Sequence, residues 1–138
     1  MSLYVLDTDT LTLWTHGHPR VTDRIAEHNA AELCTAIITI EEMLRGWYTQ
    51  IRRAKTDEQI ARAYAALQQT VQLAAFIPLL GFDESAIRRF NDLRKLKLRV
   101  GSNDLKIAAT ALENQATVVT RNHSDFSTIP GLKLEDWS

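Results

Sequence analysis

Four short apolar runs, separated by segments long enough to form helices, constrain the fold of this 138-residue chain more than any other feature of its sequence. Short, largely apolar runs of this kind are typical of strands that are buried on both faces of a parallel sheet. Helices must then connect successive strands, so the pattern predicts the α/β class. The predicted strands cover residues 3–6, 33–38, 76–80 and 117–120, with residues 132–137 as a candidate edge strand.

The segment between the second and third predicted strands contains two helical repeats. Apolar residues recur at helical spacing in each repeat, at Ile40, Met43, Leu44, Trp47 and Ile51 and again at Ile60, Tyr64, Leu67 and Val71. Residues 55–57 separate the repeats, and Thr56 or Asp57 is a candidate N-cap. The pattern predicts an inserted helical hairpin, and further helices are predicted at residues 83–97 and 102–115.

Composition favours a single domain that covers residues 1–138. Hydrophobic residues make up 45% of the chain, and a chain of this size buries roughly two-thirds of its unfolded surface. The net charge of -1 gives no overall preference for a polyanion. Cys34 is the only cysteine, so an internal disulfide and a multi-cysteine zinc site are excluded, and we expect it to be buried in a strand. With no signal peptide and no apolar run of about 18 residues, we expect a soluble cytoplasmic protein.

Acidic residues follow the predicted strands and begin the following helices. They are Asp7 and Asp9 after the first strand, Glu41 and Glu42 after the second, Asp104 at the start of a helix and Asp125 after the fourth strand. In parallel sheets, ligands bind beyond the carboxyl ends of the strands, where these acids would meet. At an effective dielectric constant of about 20, two ionised carboxylates roughly 4 Å apart repel each other by about 4 kcal/mol. A cluster of this kind therefore indicates a cation.

Oxygen ligands select hard cations such as Mg2+ or Mn2+. Such a site suits phosphodiester hydrolysis, because one cation lowers the pKa of an attacking water and a second can stabilise the leaving oxygen. Each acid also has a purely structural explanation. Asp7 or Asp9 can cap the next helix, Asp104 can interact with a helix dipole, and Asp125 can form an Asx-turn. The apolar positions of the first hairpin helix do not show whether Glu41 or Glu42 faces the other acids.

Four segments, "YVLDTD", "ITIEEMLRG", "VGSNDLKIAATAL" and "ATVVTRNHSDFSTIPGLKLEDW", resemble the PIN-domain ribonucleases in their order and spacing. The resemblance is greatest to the VapC-type toxins of bacterial toxin-antitoxin pairs, and it covers nearly the whole chain. It implies a three-layer α/β/α sandwich around a parallel sheet of four to five strands. It also implies Mg2+-dependent cleavage of RNA, a homodimer, and an antitoxin partner that blocks the acidic pocket.

The resemblance further assigns roles to individual acids. The catalytic positions fall on Asp7, Glu42, Asp104 and Asp125. Asp7, Asp104 and Glu42 would bind Mg2+, or alternatively Mn2+, with Asp125, Asp9 and Asn122 as further candidate ligands. Asn122 stands where some members carry an additional acid, and could contribute a carbonyl oxygen or hold a water. Asp9 stands where relatives usually have asparagine, which would restore a negative charge.

An RNA substrate requires positive charge, since phosphate contacts dominate affinity. Arg45 and Arg121 are adjacent in sequence to the acidic positions and are candidate RNA-binding residues, together with Arg99. The segment that ends at Arg99 carries six of the sixteen basic residues, at positions 88, 89, 94, 95, 97 and 99. It is either a phosphate-binding track or a solvated helix face paired with Asp83, Glu84 and Asp92.

Two other functions fit parts of the sequence. "LDTDTL" also resembles the nucleophile motif of haloacid-dehalogenase-type phosphatases, in which Asp7 would form an aspartyl-phosphate and Asp9 would act as the acid-base. However, no aspartate directly follows Gly101, where their metal-binding loop carries one. The second of these functions is that of a non-catalytic protein-binding module, with the hairpin at residues 40–71 as its interaction surface. Metal-dependent RNA cleavage distinguishes the ribonuclease from both.

Overall fold

The fold is built on a five-stranded parallel sheet with the order β3-β2-β1-β4-β5, seen in a computed structural model that describes residues 2–138. In the register, Val5 of β1 pairs with Cys34 of β2 on one side and with Val118 of β4 on the other. Because all neighbouring strands are parallel, their carboxyl ends share one edge of the sheet. The strands are β1 (Tyr4–Leu6), β2 (Leu33–Ala36), β3 (Leu79–Leu80), β4 (Thr117–Val119) and β5 (Lys133–Glu135).

Helices connect the strands, as the sequence predicts for the α/β class. Helix α7 is a single short turn, and a 3-10 turn at Ala30–Glu32 leads into β2. No helix within residues 2–138 combines the length and hydrophobicity needed to cross a bilayer. The helices are α1 (Thr8–Thr15), α2 (Pro19–Ala26), α3 (Ile37–Arg53), α4 (Asp57–Phe76), α5 (Glu84–Lys95), α6 (Ser102–Glu113) and α7 (His123–Phe126).

The two faces of the sheet bury separate apolar clusters. On one face, strand residues such as Val5 and Val118 pack with apolar residues of α5 and α6. On the other face, Leu6 and Val119 pack with apolar residues of α1 and α2 and with Trp137. Neighbouring residues of β1 and of β4 therefore pack into opposite cores, which is why successive residues such as Val5 and Leu6 are both apolar. This arrangement confirms the predicted three-layer α/β/α sandwich.

Helices α3 and α4 form the predicted hairpin. The break between them ends at Thr56, whose hydroxyl accepts a hydrogen bond from the Gln59 backbone N–H at 3.1 Å, while the Gln59 side chain accepts one from the Thr56 N–H at 3.4 Å. This capping box makes Thr56, rather than Asp57, the N-cap of α4. Farther along the hairpin, the Trp47 indole N–H donates to the Thr70 hydroxyl at 2.8 Å and ties the two helices together.

Some element bounds differ from the prediction. The predicted strand 33–38 ends at Ala36, because Ile37 begins α3, where Ile38 and Ile40 are buried as helix residues. The predicted strand 76–80 shrinks to Leu79–Leu80, since residue 76 still belongs to α4. Helix α2 was not predicted; its N-cap is His18, whose Nδ1 accepts the Val21 N–H at 3.3 Å. The predicted edge strand is confirmed as β5, and Cys34 is buried in β2.

Candidate active site

Asp7 lies at the junction of β1 and α1, at the carboxyl edge of the sheet. Its Oδ1 accepts the Thr10 backbone N–H at 2.8 Å, which makes Asp7 the N-cap of α1. Its own N–H donates to the Val119 carbonyl at 3.2 Å, and the Thr10 hydroxyl donates to the same carbonyl at 3.0 Å. These bonds hold Asp7 between the ends of β1 and β4, with only 8% of the residue exposed.

The buried position of Asp7 raises the pKa of its carboxyl group above the usual aspartate value. Desolvation is the main cause, hydrogen bonds from Thr120 and Thr10 oppose it, and the nearby charge of Asp9 adds to it. The hydrogen bonds from its neighbours therefore offset only part of the free-energy cost of ionising this buried carboxyl group. Thr10 and Thr120 are therefore the polar neighbours of Asp7, and the sequence signal for Thr10 is its position three residues after an N-cap aspartate.

Asp104 lies in the first turn of α6 and is half-buried. Its pKa is raised to about 6 by desolvation and then by the negative charges of Glu42, Asp125 and Asp7. A carboxylate near a helix N-terminus ordinarily gains about 0.3 to 1 kcal/mol from the dipole, which would lower the pKa. The effects of burial and of the neighbouring negative charges on the pKa of Asp104 outweigh that gain here.

Four acids from separate parts of the sequence therefore interact electrostatically at one edge of the sheet. We call Asp7, Glu42, Asp104 and Asp125 the acidic cluster.

The structure distinguishes the two adjacent glutamates that the apolar stripe left ambiguous. Glu41 is exposed and forms an ion pair with Arg45, one turn along α3, with a distance of 2.8 Å between the charged atoms. Glu42 is half-buried, and its charge acts on Asp104. It is therefore Glu42 that faces the acidic cluster, while Glu41 points away from it.

Asp125 lies in α7 and is half-buried beside Asn122. Its Oδ2 accepts a hydrogen bond from the Asn122 side-chain amide at 2.5 Å. The Asn122 backbone N–H donates to the Thr120 hydroxyl at 2.9 Å. Thr120 thus contacts both Asp7 and the turn that carries Asp125.

The remaining acid that the sequence singles out lies at the margin of the site. Asp9 is exposed on α1; its charge reaches Asp7 but is absent from the charges that shift the pKa of Asp104. One residue near Glu42 has no sequence signal: Thr39 is fully buried one turn earlier in α3, and its hydroxyl has no hydrogen-bond partner within residues 2–138.

Much of the basic segment that leads to α6 is a solvated face with ion pairs. Arg88 pairs with Glu84, Lys95 with Asp92, and Arg89 with Glu113. Asp83, which was a predicted ion-pair partner, instead caps α5 by accepting the Ala86 N–H at 3.0 Å.

Three arginines were predicted to bind RNA, and their surroundings differ. Arg45 is engaged by Glu41. Arg99 and Arg121 are exposed and form no ion pair within the described residues 2–138. Arg121 helps to lower the pKa of Asp136, although the Ser138 hydrogen bond is the main cause. Arg99 and Arg121 are therefore the more available cations.

The donor set of the acidic cluster suits a hard divalent cation. Its ligand atoms are carboxylate oxygens, which such ions prefer, and the raised pKa of Asp104 shows that its anionic form lacks compensation. Within residues 2–138, no group of three or more His, Cys, Asp or Glu side chains is already arranged to hold an ion. The donor atoms of the site therefore have the chemistry that a hard cation requires.

Comparison with known proteins gives consistent matches. The family model described as the PIN domain matches residues 4–132. Ribonuclease VapC2 of Rickettsia felis is 27% identical over 139 residues, covering 98% of each chain. The crystal structure of DNA-bound VapBC from Salmonella typhimurium superposes with a TM-score of 0.78 at 26% identity over 100% of both chains. VapBC-5 from Mycobacterium tuberculosis, described as a member of the VapBC family of toxin-antitoxin systems, superposes with a TM-score of 0.53 at 27% identity over 75% of this chain and 79% of that chain. The family match and the fold together show that this chain belongs to the PIN domain family.

Proposed function

We propose that this chain is an Mg2+-dependent endoribonuclease that hydrolyses RNA phosphodiester bonds and acts as the toxin of a toxin-antitoxin pair. The observation that carries the proposal is the electrostatic state of Asp104, whose pKa is raised to about 6 by burial and by the charges of Glu42, Asp125 and Asp7. The match to the PIN domain and the likeness to a ribonuclease of Rickettsia felis support RNA hydrolysis over the phosphatase alternative. A reducing cytoplasm suits a chain whose only cysteine is buried.

We assign the metal ligands to Asp7, Glu42 and Asp104, with Asp125 completing the acidic cluster through water or a second ion. PIN-domain VapC nucleases are metal-dependent, and oxygen-only donors favour Mg2+, with Mn2+ as a substitute. A bound divalent cation would offset the mutual repulsion of these ionised carboxylates. When bound, Mg2+ would lower the pKa of the attacking water and stabilise charge on the leaving oxygen.

The chain itself positions the reacting groups. Thr10 restricts the Asp7 carboxylate, because its backbone N–H donates to Oδ1 at the start of α1 and holds the carboxylate at the end of β1. Thr120 lies beside the same carboxylate and lowers its pKa. Burial at this junction excludes water from one side of the carboxylate, which strengthens its electrostatic interactions. Asp104 and Glu42 approach from α6 and α3, so three separate elements surround the place where phosphate would bind. No histidine general base is required in this mechanism.

Arg99 and Arg121 are proposed to contact RNA phosphates more strongly than Arg45, because Arg45 is already paired with Glu41 at 2.8 Å. Replacing Arg99 or Arg121 by alanine is expected to weaken binding of a single-stranded RNA and to reduce the slope of log K against log salt by roughly 0.7 for each phosphate that is no longer neutralised. Fluorescence anisotropy at several salt concentrations measures both effects. Arg88→Ala is the matched control, since Arg88 is exposed and paired with Glu84; equal slopes in all variants would exclude these contacts.

We propose that the partners are a second copy of the chain and a cognate antitoxin. The structural neighbours support an antitoxin, because one of them belongs to a family of toxin-antitoxin systems. Several large apolar side chains of the hairpin are exposed and could be covered by a partner: Tyr48, Ile60, Tyr64, Val71 and Phe76. Light scattering of the purified chain tests the homodimer directly.

The catalytic proposal is tested by incubating the purified chain with a mixed RNA pool in Mg2+ or Mn2+, beside the same reaction in EDTA. Internal cleavage that requires the divalent cation is the expected result. Hydrolysis of a small phosphomonoester without RNA cleavage would instead support the phosphatase, with Asp7 as nucleophile. An absence of both activities, in a chain shown to be folded, would support the protein-binding module.

A further inference from the structure

Asn122 is held by three hydrogen bonds in the turn between β4 and α7. Its side-chain Nδ2 donates to Asp125 Oδ2 at 2.5 Å, and its backbone N–H donates to the Thr120 hydroxyl at 2.9 Å. Its side-chain Oδ1 accepts the Ser124 hydroxyl at 3.4 Å. The amide therefore presents its N–H group to the acid. Its carbonyl oxygen, on the opposite side of the amide, is directed away from Asp125.

This orientation argues against Asn122 as a metal ligand. An amide binds a cation only through its carbonyl oxygen, and that oxygen is turned toward Ser124. The group directed at the acidic cluster is the N–H donor, which a cation would repel. The available role is therefore to orient Asp125, whose charge acts on Asp104.

We propose that Asn122 is a positioning residue, which holds the Asp125 carboxylate toward the acidic cluster by donating to Oδ2. This inference rests on the proposed cation site and deepens it. The bond engages Oδ2 and leaves Oδ1 of Asp125 as its less encumbered oxygen. The Thr120 hydroxyl fixes the backbone from which Asn122 reaches, and it also contacts Asp7. Thr120 therefore lies beside Asp7 and also holds the turn that carries Asp125.

Substitutions at residue 122 separate a positioning role from a ligand role. Removing a hydrogen-bond partner of a metal-ligating group typically costs 10- to 100-fold in metal affinity. Asn122→Ala and Asn122→Asp should therefore both weaken Mn2+ binding by about 10-fold or more, since neither side chain can donate to ionised Asp125. If Asn122 were a ligand, aspartate would replace it with a stronger one and would preserve or tighten binding.

The experiment is a calorimetric titration of Mn2+ into the RNA-free chain. The variants are Asn122→Ala, Asn122→Asp, Asp125→Ala and the double variant Asn122→Ala/Asp125→Ala, with melting temperatures in EDTA as the folding check. Ser124→Ala is the matched control, because it removes the other side-chain hydrogen bond of Asn122 without touching Asp125. We expect the double variant to bind no more weakly than Asp125→Ala, because Asn122 acts only through Asp125.

The outcomes distinguish failure of this inference from failure of the proposed function. Tight Mn2+ binding by Asn122→Asp, unchanged binding by Asn122→Ala, or additive losses in the double variant would overturn the positioning role while leaving the cation site intact. A folded wild-type chain that binds no Mn2+ would overturn both. If Asn122→Ala fails to fold, the nearly isosteric Asn122→Asp carries the same test through its comparison with Asp125→Ala.

Discussion

The Asp7→Asn variant is expected to lose RNA cleavage by about 10²- to 10³-fold at neutral pH while remaining folded, an effect comparable to removing one preorganised electrostatic contact from an active site. Asparagine caps helices as well as aspartate does, so its side-chain oxygen can still accept the Thr10 N–H that Asp7 accepts at 2.8 Å. The substitution therefore removes the negative charge and little else.

The same variant should be at least as stable as the wild type without a cation. Burial raises the pKa of Asp7, so ionisation costs more in the folded chain than in the unfolded chain. For a carboxyl group with a raised folded pKa, stability falls as the pH rises from the unfolded pKa through the folded one. Asp7→Asn removes that loss, and its melting temperature in EDTA at neutral pH should equal or exceed that of the wild type.

Parallel assays measure the initial rate of RNA cleavage and the melting temperature. Asp57→Asn is the matched control, because Asp57 is an exposed acid in the first turn of α4 and lies outside the acidic cluster. Cleavage at the wild-type rate by Asp7→Asn would remove Asp7 from the mechanism. A large loss of stability would mean that its charge supports the fold rather than the reaction.

Asp104→Asn is expected to have a similarly large effect on cleavage and a distinct signature in pH-dependent stability. The pKa of Asp104 is about 6 in the folded chain, against an ordinary value of 3.8. Between these values the folded chain binds more protons than the unfolded chain, so the free energy of unfolding decreases as the pH rises. In EDTA, urea unfolding should show this decrease in the wild type and a shallower one in Asp104→Asn.

Mg2+ should restore the free energy of unfolding that the wild type loses as the pH rises above 6, because the cation binds the ionised carboxylates of the folded chain. A ligand at 100 times its dissociation constant adds about 2.7 kcal/mol to the free energy of unfolding. Asp104→Asn should lose most of this increment. An Mg2+ increment in Asp104→Asn that equals the wild-type value would show that Asp104 is not a ligand.

Local apolar patterns were sufficient to predict the layers of the fold, but they did not predict the bounds of every strand and helix. The alternation of strand and helix follows from burial, since β1 and β4 serve two cores at once. The boundary between β2 and α3 was misplaced, because Ile38 and Ile40 are buried in a helix as thoroughly as strand residues are. Helix α2 begins at a histidine cap, which is not among the usual N-cap residues.

At the site, acid positions were predictable and side-chain directions were not. The strand-end rule indicated that Asp7, Asp104 and Asp125 would share one edge, and the charges acting on Asp104 agree with that expectation. The periodicity of α3 could not separate the two glutamates, which required the ion pair between Glu41 and Arg45. The direction of the Asn122 amide depends on Ser124 and Asp125 together, so no single residue type predicts it.

Above all, we propose that folding gathers Asp7, Glu42 and Asp104 into one pocket that holds a divalent cation. The most direct measurement is the anomalous difference density of crystals of this chain soaked in Mn2+. We predict a peak bounded by carboxylate oxygens of these three residues, and weaker or absent density in crystals of Asp104→Asn. A Mn2+ peak located elsewhere, with these carboxylates unligated, would contradict the proposal.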